Sequence, residues 1–260
     1  MDKITRLSKN EFNNLLRKAK RIGEASSESI IYDLRNGFIL KDLMDESLLY
    51  FKSPEEMIYK EEDLLRFSDV DVKSYYFTKS VMYVDNDLRC AIMRKCNGYV
   101  VNYIDPLSVT LSLLLKAIDD FTEDTKEISK QHILGYDMLS NFMFDGVKFG
   151  AIDTIHYSFS DKDENKIFNH NISYFNEEVA RFITELYFKK FVLQDKELSE
   201  MYNSIETGEF KDLKNYVKTF AKKLSEYCDK DIIYLSDASK AIKENDDMTY
   251  PCCPIYKLKK

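Results

Sequence analysis

Three oxygen-bearing side chains surround two short apolar segments in GYDMLSNFMFDGVKFGAIDT, residues 135–154. They are Asp137, Asn141 and Asp153. Carboxylate and amide oxygens are ligands that Mg²⁺ accepts, and the ion keeps water or phosphate in its remaining positions. A further carboxylate nearby could take a proton from a hydroxyl group. The stretch therefore indicates either a magnesium and phosphate site or ordinary polar residues at strand ends, where Asn and Asp are common.

Local chemistry predicts a β-hairpin that would bring two of these residues together. Apolar segments flank Asp145-Gly146, a dipeptide suited to the positive φ angles of a type I′ turn. Asn141 enters the first predicted strand and Asp153 leaves the second. Antiparallel pairing would therefore place both side chains at the same end of the ribbon.

Length, composition and charge favour a folded chain and argue against several classes of partner. The 260 residues are 44% hydrophobic and 13% aromatic, with only 7 Gly and 4 Pro. The net charge of −7 offers no general attraction to nucleic acid or anionic lipid, although residues 3–21 carry seven Lys and Arg. We expect this basic segment to be a solvated helix face. We also expect no membrane insertion and a cytoplasmic location, because no apolar run is long enough to span a bilayer and the charged N-terminus does not resemble a signal peptide.

Cysteine and histidine spacing gives little support for a zinc site or a Ser-His-Asp hydrolase. The five cysteines are an odd number without paired metal-ligand spacing, and Cys252-Cys253 are adjacent, so they rarely ligate one ion together. The three histidines are scattered along the chain.

Strand signals come early in the chain and helix signals come late, which predicts an α+β fold with two unequal lobes. Ser8 and Glu11 form a capping-box pattern that begins a first helix, and Ser53-Pro54 begins a second. Asn36-Gly37 predicts a hairpin between segments 29–34 and 38–43.

The remaining elements follow from apolar periodicity and turn residues. Two further strands are predicted on either side of a polar Asp-Asn-Asp turn, at 75–84 and 88–93. Asp105-Pro106 is expected to open a long helix, and a polar loop is expected near 160–165. Later helices are predicted at 176–192, 211–227 and 236–242.

A second charged pair is suggested by a carboxylate on an apolar helix stripe. Glu61 lies inside a stripe that runs from Met57 to Leu65. A carboxylate that faces the core needs a partner, and Lys41 on the preceding hairpin could supply the cation. The alternative is that Glu61 reaches solvent and that Lys41 protects an edge strand.

The order of these features resembles that of the protein-kinase-like superfamily over residues 22–157. IGEASSESIIYDL resembles the glycine-rich loop and its strand, with Gly23 retained. FILKDL resembles the third strand with its phosphate-holding lysine, Lys41, and Glu61 resembles the helix glutamate that pairs with it. AIMRKCNG resembles the strand and hinge between lobes, with Met93 as gatekeeper and Arg94–Cys96 offering backbone groups to an adenine.

The resemblance continues in the segment that carries the polar triad. YDMLSN resembles the catalytic loop and AIDT the strand-end aspartate that binds magnesium. The resemblance implies that Asp137 is the catalytic aspartate, that Asn141 and Asp153 are metal ligands, and that ATP and Mg²⁺ are the cofactors. It implies a two-lobed fold, with a small β-rich N-lobe at 1–96 and a larger helical C-lobe at 97–260. The acceptor would be a hydroxyl of a protein or a small molecule.

Departures from the family pattern leave more than one function open. Ala25 and Glu28 stand where the second and third glycines are expected, and Asn141 follows Asp137 by four residues instead of five. The histidine expected two residues before the aspartate is Gly135. The chain is therefore interpreted as an ATP-dependent phosphotransferase or as a pseudokinase that serves as a nucleotide-binding or regulatory scaffold. An unrelated α+β fold is the third possibility.

Overall fold

The protein folds into two compact units in a computed structural model that describes residues 2–22, 29–44, 59–135, 141–204, 212–244 and 256–258. We call the first the sheet unit, which comprises Met1–Asp71, Tyr75–Cys96 and Asp153–Ile155. We call the second the helical unit, which comprises Val72–Ser74, Asn97–Ile152 and His156–Lys260. The predicted α+β class is confirmed. Gly23, Asp137 and the predicted helix start at Ser53 lie outside the described residues.

The sheet unit contains six described strands and two described helices. In chain order they are β1 (Ile4–Leu7), α1 (Lys9–Lys18), β2 (Lys20–Arg21), β3 (Ile30–Asp33), β4 (Phe38–Asp42), α2 (Glu61–Leu65), β5 (Thr78–Val84) and β6 (Asp87–Arg94). The strands form one sheet in the order β1-β5-β6-β4-β3-β2. Strands β1 and β5 are parallel and the other neighbours are antiparallel, so the sheet is mixed.

Both hairpins predicted for the sheet unit are confirmed. Strands β3 and β4 pair across a turn in which Gly37 has a φ of 88° and the Asn36 side chain accepts a hydrogen bond from the Phe38 amide at 3.2 Å. Strands β5 and β6 pair across Asp85 and Asn86, whose φ angles are 49° and 75°. Asn and Asp tolerate this left-handed conformation better than other side chains do.

The N-terminal segment differs from the expectation of a single basic helix face. The predicted capping box is confirmed, because the Ser8 hydroxyl accepts from the Glu11 amide and the Glu11 carboxylate accepts from the Ser8 amide at 2.8 Å. The basic residues of 3–21, however, are distributed over and around β1, α1 and β2. Strand β1 has only four residues, and its position depends on parallel pairing with β5, which no local pattern reveals.

Helix α1 packs on the sheet through one buried aromatic side chain. Phe12 is the buried residue of the helix and lies in a cluster with Leu40, Met82, Cys90 and Ile92 of the sheet. Burial, together with the nearby Asp42 carboxylate, raises the pKa of the Cys90 thiol well above its usual value. This thiol is therefore a core group that stays protonated.

The helical unit contains five short strands and six helices among its described residues. In chain order they are β7 (Tyr99–Val100), α3 (Leu111–Lys130), β8 (Ile133–Leu134), β9 (Phe142–Phe144), β10 (Phe149–Ala151), β11 (Ser158–Phe159), α4 (Glu164–Thr184), α5 (Lys189–Gln194), α6 (Lys196–Asn203), α7 (Leu213–Cys228) and α8 (Ser239–Lys243). Strand β9 pairs with β10 and β7, and β8 pairs with β11. No helix in the described ranges is both long and apolar enough to cross a bilayer.

Several predicted helix boundaries are wrong. Asp105 and Pro106 begin only a short 3-10 turn, and the long helix α3 begins at Leu111. Helix α4 begins at Glu164, capped by Asp163, so the last two residues of the predicted polar loop are helical. The polar residues of this first turn are exposed, and their composition resembles that of a loop because only one face of the helix is buried.

The hairpin of β9 and β10 is confirmed, but its turn is not of type I′. Its loop spans residues 145–148, and of these only Gly146 has a positive φ, 97°. The Asp145 carboxylate accepts hydrogen bonds from the amides of Val147 and Lys148, both at 2.9 Å. A side chain thus satisfies the amides that a two-residue turn would have paired along the backbone.

An aromatic cluster holds this hairpin in the helical unit. The rings of Phe121 on α3 and Phe175 on α4 stack with centroids 4.0 Å apart. Phe142 and Phe149 of the hairpin meet the Phe175 ring edge to face at 5.4 and 4.9 Å. Such pairs add to the stabilisation from buried area and prefer defined angles. They therefore fix the strand that follows Asn141.

We expect Ser80→Ala to stabilise the protein and Ser129→Ala to destabilise it. Both serines are buried, but the Ser80 hydroxyl has no partner among the described residues, whereas the Ser129 hydroxyl donates to the Thr125 carbonyl at 2.7 Å. The free energy of unfolding should rise by about 1 kcal/mol in the first variant and fall by about 1 kcal/mol in the second. Urea denaturation measures both, and equal losses would show that Ser80 has a partner.

Candidate functional site

The centre of the candidate site is an ion pair between two residues 112 positions apart in the chain. Lys41 Nζ donates a hydrogen bond to Oδ1 of Asp153. The side chains are 7% and 20% exposed, and both residues belong to the sheet unit. Lys41 lies on β4 between Ile31 and Ala91 of the neighbouring strands, in the interior of the sheet. The sequence identified both residues, and the structure brings them together.

The backbone of Asp153 has an unusual conformation that its neighbours fix. Its φ is 60°, in the left-handed region, which is disfavoured for residues other than glycine by about 1–3 kcal/mol. The next residue, Thr154, is buried, and its hydroxyl donates to the Tyr76 carbonyl at 2.8 Å. Ile155 packs against the cluster that contains Leu43 and Ala91. These contacts hold the turn and aim the Asp153 carboxylate at Lys41.

The predicted ion pair between Lys41 and Glu61 is wrong. The Glu61 carboxylate accepts a hydrogen bond from the Tyr83 hydroxyl at 2.8 Å, while the ammonium of Lys41 is used by Asp153. This bond raises the pKa of Tyr83 above its usual value. Glu61 is the first residue of the five-residue helix α2 and is only half-buried, so a neutral donor satisfies it. The sequence showed that the Glu61 carboxylate needs a partner, but which side chain serves as that partner depends on the arrangement of strands in the sheet.

A second buried carboxylate adjacent to Lys41 was missed at the sequence level. Asp42 is fully buried, and the guanidinium of Arg89 binds it through Nε at 3.0 Å and Nη2 at 2.8 Å. Two parallel bonds to one carboxylate are the strongest arrangement that Arg offers. If FILKDL is a strand, its alternation places Asp42 on the opposite face from Lys41. The sequence therefore contained a signal for a second charged residue on this strand. This pair fixes the end of β4 beside the candidate site.

The predicted adenine hinge lies at the end of β6 and just beyond it. Met93 is buried opposite Ile39, and Arg94 pairs in register with Phe38. The Lys95 amide donates to the Gly37 carbonyl at 2.8 Å, and Cys96 is half-buried. One backbone donor of the proposed hinge is therefore already used by the β3–β4 turn.

The segment that leads towards Asp137 is anchored to helix α4 within the helical unit. The Gly135 amide donates to Asn171 Oδ1 at 2.7 Å, and Asn171 Nδ2 donates to the Ile133 carbonyl at 2.8 Å. His170 Nε2 lies 3.2 Å from the Gly135 carbonyl. A Cβ atom at Gly135 would lie 3.2 Å from both Asn171 Oδ1 and the Tyr157 ring, so glycine suits this close approach.

Asn141 also belongs to the helical unit and is half-buried there. Its carbonyl accepts from the Ile152 amide at 2.8 Å, so the hairpin pairing extends one step beyond Phe142. It lines a small cavity together with Gly135 and His170. The hairpin thus places Asn141 beside the anchored segment, as the sequence order requires.

Both predicted magnesium ligands, Asp153 and Asn141, are among the described residues. In the described ranges no group of three or more His, Cys, Asp or Glu side chains could hold a metal ion. Asp153 contributes a carboxylate that is partly accessible, and Asn141 contributes an amide. Mg²⁺ is commonly held by one or two carboxylates together with water and phosphate oxygens, so the Asp153 carboxylate is a type of ligand that the ion accepts.

Comparison with known proteins does not assign the chain to a family. No protein-family model matches it, and no curated protein sequence matches it.

A double-mutant cycle on Lys41 and Asp153 should reveal strong coupling. We expect Lys41→Met and Asp153→Asn to be less than additive, with an interaction free energy of about 1–3 kcal/mol, because each single change leaves the other group unpaired. The control is the cycle of Lys41→Met with Glu61→Gln, which should give less than about 0.5 kcal/mol since these side chains are not paired. Chemical denaturation measures both cycles, and stronger coupling to Glu61 would contradict the pairing described above.

Proposed function

We propose that this protein is an ATP- and Mg²⁺-dependent phosphotransferase of the protein-kinase-like superfamily, with a protein or small-molecule hydroxyl as acceptor. The observation that carries the proposal is the ion pair of Lys41 with Asp153. A lysine that could bind phosphate and a carboxylate that could bind a metal ion meet from distant parts of the chain in one partly buried place. In this proposal the sheet unit is the N-lobe and the helical unit is the C-lobe of a kinase-like fold.

The chemistry of the pair suits phosphate transfer, which needs positioning and charge neutralisation more than covalent catalysis. Lys41 would hold the α- and β-phosphates of ATP. A phosphate group bound to Lys41 would replace Asp153 as its counter-ion and leave the carboxylate available for Mg²⁺, together with Asn141. The ion would supply neutralisation of the negative charge that the transferred phosphoryl group carries. The proposed role of Glu61 is to pair with Lys41. Glu61 can take that role only if its carboxylate leaves the Tyr83 hydroxyl and binds the Lys41 ammonium.

Asp137 is the proposed catalytic residue that orients or deprotonates the acceptor hydroxyl. It lies outside the described residues, but the chain that precedes it is fixed by the hydrogen bonds of Asn171 to Ile133 and Gly135. A general base must be held within hydrogen-bonding distance of the proton that it removes. The anchoring of Gly135 on helix α4 supports this role.

A pseudokinase is the second candidate, and one observation favours it. Lys41 is paired with Asp153 instead of Glu61, and a lysine held by the proposed metal ligand must first exchange partners to bind phosphate. The sequence adds Glu28, whose charge would repel phosphate unless it faces solvent. In this alternative the same scaffold binds nucleotide weakly or serves as a regulatory module.

We expect Asp153→Asn to abolish the magnesium dependence of ATP binding. The amide keeps the size of the side chain and can still accept a hydrogen bond from Lys41, but it removes the charge that attracts a dication. Calorimetric titration of ATP with and without Mg²⁺ measures the effect. Asp85→Asn is the matched control, because Asp85 also has a positive φ in the sheet unit but takes no part in the candidate site. ATP binding to the unaltered protein without any metal dependence would contradict the proposed centre and favour the scaffold.

Asp137→Asn should separate binding from transfer. We expect ATP affinity to stay within about twofold of the unaltered protein, because the role of Asp137 begins only when an acceptor hydroxyl arrives. Phosphate transfer, measured as autophosphorylation or with a panel of hydroxyl acceptors, should fall by about 10²–10⁴-fold. Undiminished transfer in this variant would remove Asp137 from the mechanism.

A further inference from the structure

The helical unit contains a second cavity that takes no part in the proposed phosphotransferase site. Its volume is about 180 Å³, and it lies among α3, α4 and the first turn of α7. Helix α4 contributes Phe168, Ile172 and Asn176, which share one face at intervals of four residues. Ile118 of α3 and Leu213 of α7 complete an apolar wall.

Burial changes from the mouth of the cavity to its floor. Asp119 and Lys214 at the rim have side chains 48% and 41% exposed, and they form an ion pair at 2.7 Å. Ile118, Leu213 and Asn176 are buried. The cavity is therefore a pocket that opens to solvent between charged residues and ends in a mostly apolar interior.

Asn176 is the exception in this interior. It is only 3% exposed and lines the cavity, and its amide makes no hydrogen bond within the described residues. The amide is not among the fully buried polar atoms that lack a partner, so it faces the solvent inside the cavity. Asn171 on the same helix shows the usual arrangement, since its amide bonds to Gly135 and Ile133. The amide of Asn176 is thus an unused donor and acceptor at the floor of a cavity.

We propose that this cavity binds a small neutral ring with a lactam edge, that is, an N–H and a C=O on adjacent ring atoms. The side-chain amide of Asn176 can donate to the ring carbonyl and accept from the ring N–H, which satisfies both of its polar atoms. The size fits, because a cavity of about 150 Å³ holds a benzene ring. The class of ligand includes simple lactams and nucleobase-like heterocycles.

The charges of the lining select against an anionic ligand. Lys214 is already neutralised by Asp119, and Asp212, which caps helix α7, adds a further negative charge. An acidic ring would therefore meet net repulsion from the described charged residues at the mouth. The binding site does not depend on the phosphotransferase proposal, because it shares no residue with it.

The test compares three ligands of similar size by calorimetry and by ¹H–¹⁵N chemical-shift mapping. 2-Pyridone carries the lactam edge, N-methyl-2-pyridone lacks its N–H donor, and benzene lacks both polar atoms. We expect 2-pyridone to bind at least about tenfold more tightly than either control, since two hydrogen bonds distinguish it. Absence of 2-pyridone binding, or equal binding of all three ligands, would overturn the proposal.

Two variants connect the binding to the cavity and to its amide. Asn176→Leu should lose the preference for 2-pyridone, because it removes both polar atoms that the lactam edge would contact. Asn171→Leu is the matched control on the same helix: it should lower the Tm, because it removes the bonds to Gly135 and Ile133, and it should keep the preference for 2-pyridone. Ile172→Phe fills the cavity, keeps Asn176 and should remove 2-pyridone binding. Unchanged 2-pyridone affinity in Asn176→Leu would show that the amide is not the binding group.

Discussion

The buried ammonium of Lys41 is the constraint on which the candidate site depends. A lysine in the interior of a six-stranded sheet needs an anion, since an isolated buried charge is strongly destabilising. Asp153 supplies that anion from a segment that follows the β9–β10 hairpin of the helical unit. Asp153–Ile155 belongs to the sheet unit, although the chain on both sides of it belongs to the helical unit. The ion pair, the Thr154 hydrogen bond and the packing of Ile155 all contribute to its place there.

The three charged residues of this region have different kinds of partner, and the differences follow from burial. Asp42 is fully buried and is bound by two bonds from Arg89. Lys41 is nearly buried and has one carboxylate, whereas the half-buried Glu61 has only the neutral Tyr83 hydroxyl. Under the phosphotransferase proposal this arrangement has a consequence for ligand binding. The cation and the carboxylate would be released from each other when phosphate and magnesium bind, so the two ligands would assist each other's binding.

Helix α4 carries two asparagines whose side chains differ in their hydrogen bonding. Asn171 holds the segment before Asp137 with both of its polar atoms, whereas Asn176 faces a cavity without a bond to the described residues. Five residues separate them, which is a rotation of about 140° around the helix axis. One helix therefore presents one asparagine to the proposed catalytic segment and another to the second cavity.

The sequence by itself determined the elements whose signals are local. The capping box of Ser8 and Glu11, the Asn36-Gly37 turn and the strand pattern around Asp145-Gly146 all predicted elements that the structure contains. It also identified Lys41 and Asp153 as candidate functional residues, because each is a charged residue in or beside an apolar strand. Tertiary structure decided the rest. The short strand β1 exists only through its pairing with β5, and the partner of Lys41 is Asp153 instead of Glu61. Likewise, Asn176 lines a cavity only because α3, α4 and α7 pack around it. Local patterns report capping, turns and alternation, but the choice among several possible partners depends on which distant segments the packed core brings within hydrogen-bonding distance.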